Sequence, residues 1–263
     1  MKQAAKILDL LELYARHGEP ISAADISDRF DWPRSTTFGL LAVLTDRGFL
    51  YEAETRGRFY PTRRWLLLAQ EFSPAEPLPP ALVDLADEIA DHGGEDTCIA
   101  AQAGLHAVVL HMRQSGGRTG LDAAPGSCVP VHATAAGQAL LSQVNPVHRA
   151  ALLRKIAFER YALGTPMTPA KVEEAIAMGL QRGWFAARST WMPDMCDVAI
   201  PLTMDGSTYA VVTGGPTVRT ADRLDELGRV MRDCVARMRG ASLHRTEAPV
   251  ATPAPAMAPS GAA

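Results

Sequence analysis

Residues 20–50 read PISAADISDRFDWPRSTTFGLLAVLTDRGFL, and this stretch decides the fold of the first part of the chain. Ser22 is a good helix N-cap, because its hydroxyl accepts a backbone N–H of the first turn. Ile21 before the cap and Ile26 after it have the spacing of a hydrophobic staple. Ile26 and Phe30 then face a core. Asp31-Trp32 makes a turn, and Pro33 suits the first position of the next helix, where its missing N–H costs nothing. That helix is predicted to run to about Asp46, with Leu40, Leu41 and Leu44 inward, and Gly48 stops it. Two helices joined by so short a turn have the geometry that presents the second one to a DNA major groove.

The flanking residues extend the pattern. Residues 2–17 put Ile7, Leu10, Leu11 and Tyr14 on one helical face, and Gly18 ends it. Downstream, Phe49-Leu50-Tyr51, the polar stretch 52–57 and Arg58-Phe59-Tyr60 predict a β-hairpin turning at Arg56-Gly57. Residues 1–72 therefore read as a winged helix-turn-helix. The outer side of the third helix offers Arg34, Ser35, Thr36, Thr37 and Phe38 near its N-terminus. Hydroxyls and a helix N-terminus bind phosphate, and arginine binds phosphate or guanine. Phe38 either touches a thymine methyl or packs into the core. Residues 1–72 hold ten basic and ten acidic side chains. Residues 32–64, however, carry six arginines (34, 47, 56, 58, 63 and 64) against Asp46, Glu52 and Glu54. That local excess marks Arg34, Arg47, Arg56 and Arg58 for phosphate contact. A winged helix used only for protein contacts is the alternative reading.

The whole chain of 263 residues has a net charge of −3, so DNA binding must rest on this local surface. Hydrophobic residues make up 47%, enough for real cores. The four cysteines, Cys98, Cys128, Cys196 and Cys234, form no C-x-x-C pair, which argues against a zinc finger or redox motif. They read as reduced thiols of a cytoplasmic protein. The amphipathic start does not look like a signal peptide, and no apolar run is long enough for a membrane span. Ser73-Pro74-Ala75-Glu76-Pro77-Leu78-Pro79-Pro80 is a stiff joint. With a helix whose stripe is Leu82, Leu85, Ala86 and Ile89, it makes a linker over 73–93. That stripe either joins the domains or meets a partner chain. An effector domain is expected over 94–242, and an Ala/Pro-rich disordered tail over 243–263.

The second part mixes strands and helices, an α+β sensor-like pattern. Thr97–Gln102 and Ala107–Met112 predict a hairpin around Gly104. Thr134 opens a helix beginning with small residues, whose N–H groups could receive a carboxylate; close packing on a sheet explains the same residues. Thr168-Pro169 starts a helix that runs to about Arg182. Trp184–Thr190 and Cys196–Met204 read as strands, Asp205-Gly206 as a tight turn, and Tyr209–Thr213 as the return. A helix over 220–239 buries Leu224, Leu227, Met231 and Val235.

Taken together, AAKILDLLEL at 4–13, Pro20-Ile21-Ser22 through Ile26, Pro33-Arg34-Ser35-Thr36, Leu40-Leu41 with Leu44, and Arg47-Gly48-Phe49-Leu50 resemble the DNA-binding domain of the IclR family of transcriptional regulators. Pro130-Val131-His132-Ala133-Thr134-Ala135-Ala136-Gly137-Gln138-Ala139 looks like the family's loop-to-helix signature. Thr168, Arg182-Gly183-Trp184, Val198-Ala199-Ile200-Pro201, and Gly215-Pro216 with Arg219 follow in the family's order. The resemblance covers about residues 3–240. It implies a homodimer or dimer of dimers, and a winged helix on operator DNA. It further implies a GAF-like α/β domain binding a small effector, often a carboxylic or aromatic acid, and control of a catabolic operon.

Candidate effector residues are His132, Thr134, Ala135, Ala136, Gly137, Arg188, Cys196, Asp197, Thr213 and Gly214. Several depart from the members that bind small keto acids. Ala187-Arg188-Ser189-Thr190 stands where those have acidic residues, Asp197 stands at their cysteine position, and Val212-Thr213-Gly214 replaces their serines. Arg188 is a carboxylate partner or a solvated surface residue. Asp197 binds a ligand hydroxyl or amine, or lies at a strand end. His132 hydrogen-bonds the ligand or orders a turn. Trp184 and Trp191 wall an aromatic ligand or pack in the core. Gly39 occupies the place where the family often has an arginine. The expected function is a ligand-responsive regulator without metal or cofactor. One rival is a regulator that has lost sensing. Another is a thiol enzyme using Cys128 with His132, or Cys98 with His111.

Overall fold

The structure is a computed structural model that describes residues 2–55, 57–72, 78–116, 120–121 and 123–246. The Arg56 contact, the 73–77 part of the joint and the tail from Glu247 lie outside the described residues. The chain divides into two compact units, Met1–Pro77 and Leu78–Ala263.

In the first unit, helix α1 spans Lys2–His17, α2 Ala23–Phe30 and α3 Arg34–Asp46. Ser22 caps α2 as expected, its Oγ accepting the Asp25 N–H at 3.1 Å. Ile21 and Ile26 are buried in a core with Leu10, Leu13, Tyr14, Leu41 and Leu44. Asp31 takes the left-handed conformation, with φ 51°, that ends α2. Pro33 is not the first helical residue: its ψ of 134° is extended, so it caps α3 and Arg34 begins it. The wing is β2 (Leu50–Glu52) and β3 (Arg58–Pro61), antiparallel. Two elements were not read from the sequence. Ile21–Ser22 form a short strand β1 on the outer side of β3. Arg64–Phe72 form α4, anchored where Trp65 Nε1 donates to the Phe49 carbonyl at 2.9 Å.

The second unit is a six-stranded antiparallel sheet covered on both faces. Its elements in chain order are α5 (Pro80–Gly93), β4 (Asp96–Ala103), β5 (His106–Arg113), β6 (Cys128–Pro130), α6 (Ala135–Ser142), α7 (Pro146–Leu153), α8 (Pro169–Arg182), β7 (Phe185–Arg188), β8 (Met195–Met204), β9 (Ser207–Pro216), α9 (Thr217–Thr220) and α10 (Leu224–Thr246). The strand order is β6-β5-β4-β9-β8-β7. Asp205 and Gly206, with φ 52° and 81°, make the tight β8–β9 turn. One face carries Ala100, Val109, Ala199 and Val212 under α6 and α8. The other carries Ile99, Val198, Ile200 and Val211 under α5 and α10. The stripe Leu82, Leu85, Ala86 and Ile89 is buried in that second core, within its own unit. Its apolar face is thus covered by this unit's sheet and α10, and not by a partner chain.

Two contacts fix where α6 begins. Thr134 caps it, its Oγ1 accepting the Gly137 N–H at 3.1 Å. Gly137 packs flush on the backbone of Val131, where a Cβ would overlap the carbonyl. Nearby, buried Glu95 receives Arg219 Nη2, Nε and Arg223 Nη1 at 2.6, 3.3 and 3.4 Å, tying the start of β4 to the α9–α10 corner. Gly137→Ala must displace backbone rather than a flexible side chain. It is expected to cost about 3 kcal/mol, at the upper end of overpacking effects. A urea titration should show this as a lower midpoint with an unchanged slope; a midpoint within error of wild type would contradict the contact.

Candidate nucleic-acid interface and ligand cavity

Helix α3 has a core side and an outer side. Thr37, Leu41 and Leu44 are buried, while Arg34, Ser35, Phe38, Gly39, Ala42 and Val43 are exposed and Thr36 is half-buried. Among the described residues no side chain caps its N-terminus. The Thr36 and Thr37 N–H groups bond Pro33 O. The first turn is otherwise open to an acceptor, at the positive end of a 13-residue helix. The expectation for Thr37 is corrected. It lies four residues before Leu41 on the core stripe, and its hydroxyl donates back to Pro33 O at 3.4 Å. Phe38, left open by the sequence, is 56% exposed and faces outward. Arg47 is exposed at the far end of α3. Arg58 is engaged internally: it donates to Pro20 O at 2.9 Å and stands 3.8 Å from Asp25. It therefore staples the wing to the entrance of α2.

The second unit holds a cavity of about 60 Å³ between its sheet and the start of α6. Ala100, Val109, Val129, Val212 and Cys98 floor it, Thr134 and Ala136 close the α6 side, and Trp191, Met192 and Met195 wall it beside Asp197. Thr134 and Thr190 also face it, but their hydroxyl protons are committed to Pro130 O at 3.1 Å and Ala133 O at 2.6 Å. Asp197 is the charged group among the described lining residues. Its Oδ2 accepts the Ala135 N–H at 3.1 Å, so the carboxylate docked on the helix N-terminus is the protein's own. Burial pushes this carboxyl up from 3.8 to about 7, only partly offset by the Ala135 N–H. Burial, with Asp197 and Asp96 nearby, pushes the Cys98 thiol up to about 12.

The structure gathers some predicted effector residues and scatters others. Thr134, Ala136 and Asp197 line the cavity, and Ala135 binds Asp197. Gly137 seats the helix on Val131. Gly214 pairs with Asp197 across β8–β9, and a Cβ there would strike the Asp197 backbone and Cβ. Arg188, Cys196 and Thr213 are corrections, because alternation along each strand turns them to the other face. Arg188 donates to Ala221 O at 2.8 Å, Cys196 Sγ lies 3.5 Å from Thr217 Oγ1, and Thr213 Oγ1 bonds Thr97 Oγ1 and Asp96 O, each at 3.1 Å. His132 is buried and is not among the described lining residues of the cavity; its ring stands edge-on to Phe158 at 5.2 Å, and burial lowers its pKa toward the neutral imidazole. Trp184 packs in the α5–α10 core and Trp191 in the cavity wall. The floor residues Cys98, Ala100, Val109 and Val212 were missed; alternate positions of the predicted strands were the available signal. Glu88, His92 and Cys234 lie close enough to suggest a metal, but Arg237 already binds Glu88 at 2.7 Å and Cys234 Sγ at 3.2 Å.

An exposed helix in a helix-turn-helix with a wing, joined in one chain to a sheet domain with an internal cavity, defines the class of ligand-responsive, DNA-binding transcriptional regulators. The helix-turn-helix model of the IclR family matches residues 3–54, and the C-terminal domain model of bacterial IclR transcriptional regulators matches residues 81–239. The chain belongs to the IclR family. It is 23% identical over 229 residues to the acetate operon repressor of Salmonella typhimurium, covering 85% of this chain and 84% of that one. The crystal structure of the Thermotoga maritima IclR superimposes with a TM-score of 0.67 at 16% identity, over 92% of this chain and 98% of that chain. An IclR homologue from Microbacterium hydrocarbonoxydans, solved with 4-hydroxybenzoate, gives a TM-score of 0.65 at 21% identity, over 89% and 99%. Among the described residues no helix is long and apolar enough to cross a membrane.

The half-buried Asp197 carboxyl, with its raised pKa, makes stability depend on pH. A group whose pKa rises on folding binds more protons in the native state, so its neutral form is favoured at low pH and stability falls as pH rises. For Asp197 the fall spans about pH 4 to 7 and then levels. Asp197→Asn removes it. The urea-unfolding stability of that variant relative to wild type should climb by up to about 4 kcal/mol between pH 4 and 8. A difference independent of pH would contradict burial of the carboxyl.

Proposed function

We propose that this chain represses or activates a metabolic, catabolic operon by placing α3 in the major groove of its operator and releasing or tightening it when a small effector enters the cavity of the second unit. The observation that carries the reading is the open first turn of α3, exposed and uncapped by any described side chain while its other side is locked in the core. Arg34 reads a guanine or a phosphate, Ser35 and Thr36 bind phosphate through hydroxyl and backbone, and Phe38 meets a base edge. Arg47 and the wing, with Arg56, add backbone contacts. Two copies reading a palindromic site require a homodimer, or a dimer of dimers. We assign DNA binding to 1–72, a linker to 73–93, whose helix α5 packs into the second unit, and effector binding to 94–242. The effector contacts are Thr134, Ala135, Ala136 and Asp197, with His132 and Gly137 supporting them.

We infer a cytoplasmic regulator and not an enzyme. Cys98 is buried and held protonated, which argues against it as a nucleophile. Gel-shift titration of the full chain against its own upstream DNA tests the proposal. Arg34→Ala should weaken binding about tenfold or more, as expected for one lost arginine contact. Arg58→Ala should lower thermal stability first, because its partners are within the protein. Unchanged affinity in Arg34→Ala would remove Arg34 from the interface.

A further inference from the structure

The ligand cavity carries its own anion. Asp197 Oδ2 takes the Ala135 N–H at the start of α6, the place where an incoming carboxylate would dock. No lysine, arginine or histidine is among its described lining residues. The two threonine hydroxyls that face the space already donate to backbone carbonyls. Asp197 Oδ1 is left free to accept a hydrogen bond from a guest. The remaining wall is alanine, valine, leucine and methionine, with Cys98 and Trp191. Above about pH 7, where Asp197 is ionised, an anionic guest would meet a carboxylate with no compensating cation among the described lining residues. A guest bearing a hydroxyl or amino group would donate to that carboxylate in a charge-assisted bond.

We propose, resting on the cavity being the effector site, that the effector is an uncharged or cationic molecule with a hydroxyl or amino group on a compact apolar skeleton, and not a carboxylate. The volume of about 60 Å³ suits a small guest, since one water needs roughly 10–15 Å³ on the same measure. Met192, Met195 and Leu121 in the wall supply adjustable side chains for a somewhat larger one.

The test uses the full chain and two matched trios: butan-1-ol, butylamine and butyrate, then benzyl alcohol, benzylamine and benzoate. Binding is read by calorimetry and by quenching of Trp191, with Trp191→Phe as the control for site. At pH 8.5 the Asp197 carboxyl, pushed up to about 7, is ionised. The alcohol or amine of at least one trio should bind tenfold or more tighter than its acid. In Asp197→Asn that preference should fall below threefold through a gain in acid affinity. An acid binding wild type as well as its alcohol overturns the inference while leaving the cavity as effector site. Failure of every probe to quench Trp191 overturns both. Should the Asn variant not fold, the wild-type ratio alone decides.

Discussion

The sheet of the second unit is buried on both faces, and this constraint governs everything built on it. Antiparallel sheets commonly leave one face to water. Here α6 and α8 cover one side and α5 and α10 the other. Each step of one residue along β8 or β9 thus changes which core a side chain enters. Asp197 reaches the cavity, and its neighbours Cys196 and Val198 belong to the other side. A slip of one position would exchange two filled interiors, so the register is strongly held. Glu95 reinforces it, because a buried carboxylate between two arginines tolerates loss of its partners poorly.

The hydrogen bond from Ala135 to Asp197 joins strand to helix across the cavity. A hydrophobic residue at 197 would fit the surrounding wall with less desolvation. Local rules broken in this way concentrate at functional sites. The first unit shows the complementary arrangement: its third helix meets solvent with an open end while its core side is filled by leucines and one buried threonine. One unit keeps its helix N-terminus available for an outside anion, and the other has already satisfied its own.

Much of this was legible. Caps at Ser22, Thr134 and Thr168, the turn at Asp205-Gly206 and the stripes of α1, α5 and α10 follow from spacing and side-chain chemistry. The cavity was legible only in part, because a strand's position in the sequence does not reveal the phase of its alternation. Arg188, Cys196 and Thr213 were chosen one residue away from Ala187, Asp197 and Val212. Thr37 was read as exposed because its hydroxyl is polar, yet its spacing to Leu41 and Leu44 placed it in the core. Helix α7 was not read from the sequence; Asn145 caps it, its amide oxygen accepting the Val147 N–H at 2.9 Å. Helix α4 depends more on tertiary contacts, above all Trp65 against Phe49.

Gly39 sits mid-helix on the outer side of α3, and a Cβ built there meets nothing within 4 Å. Glycine inside a helix costs about 1 kcal/mol relative to alanine. Most substitutions that alter recognition also erode stability, which narrows the routes open to a drifting lineage. This position reverses that relation: almost any side chain gained there firms the helix while adding a new group to its exposed side. One vacant slot on the exposed side of α3 thus lets a new side chain and a firmer helix arrive in a single step.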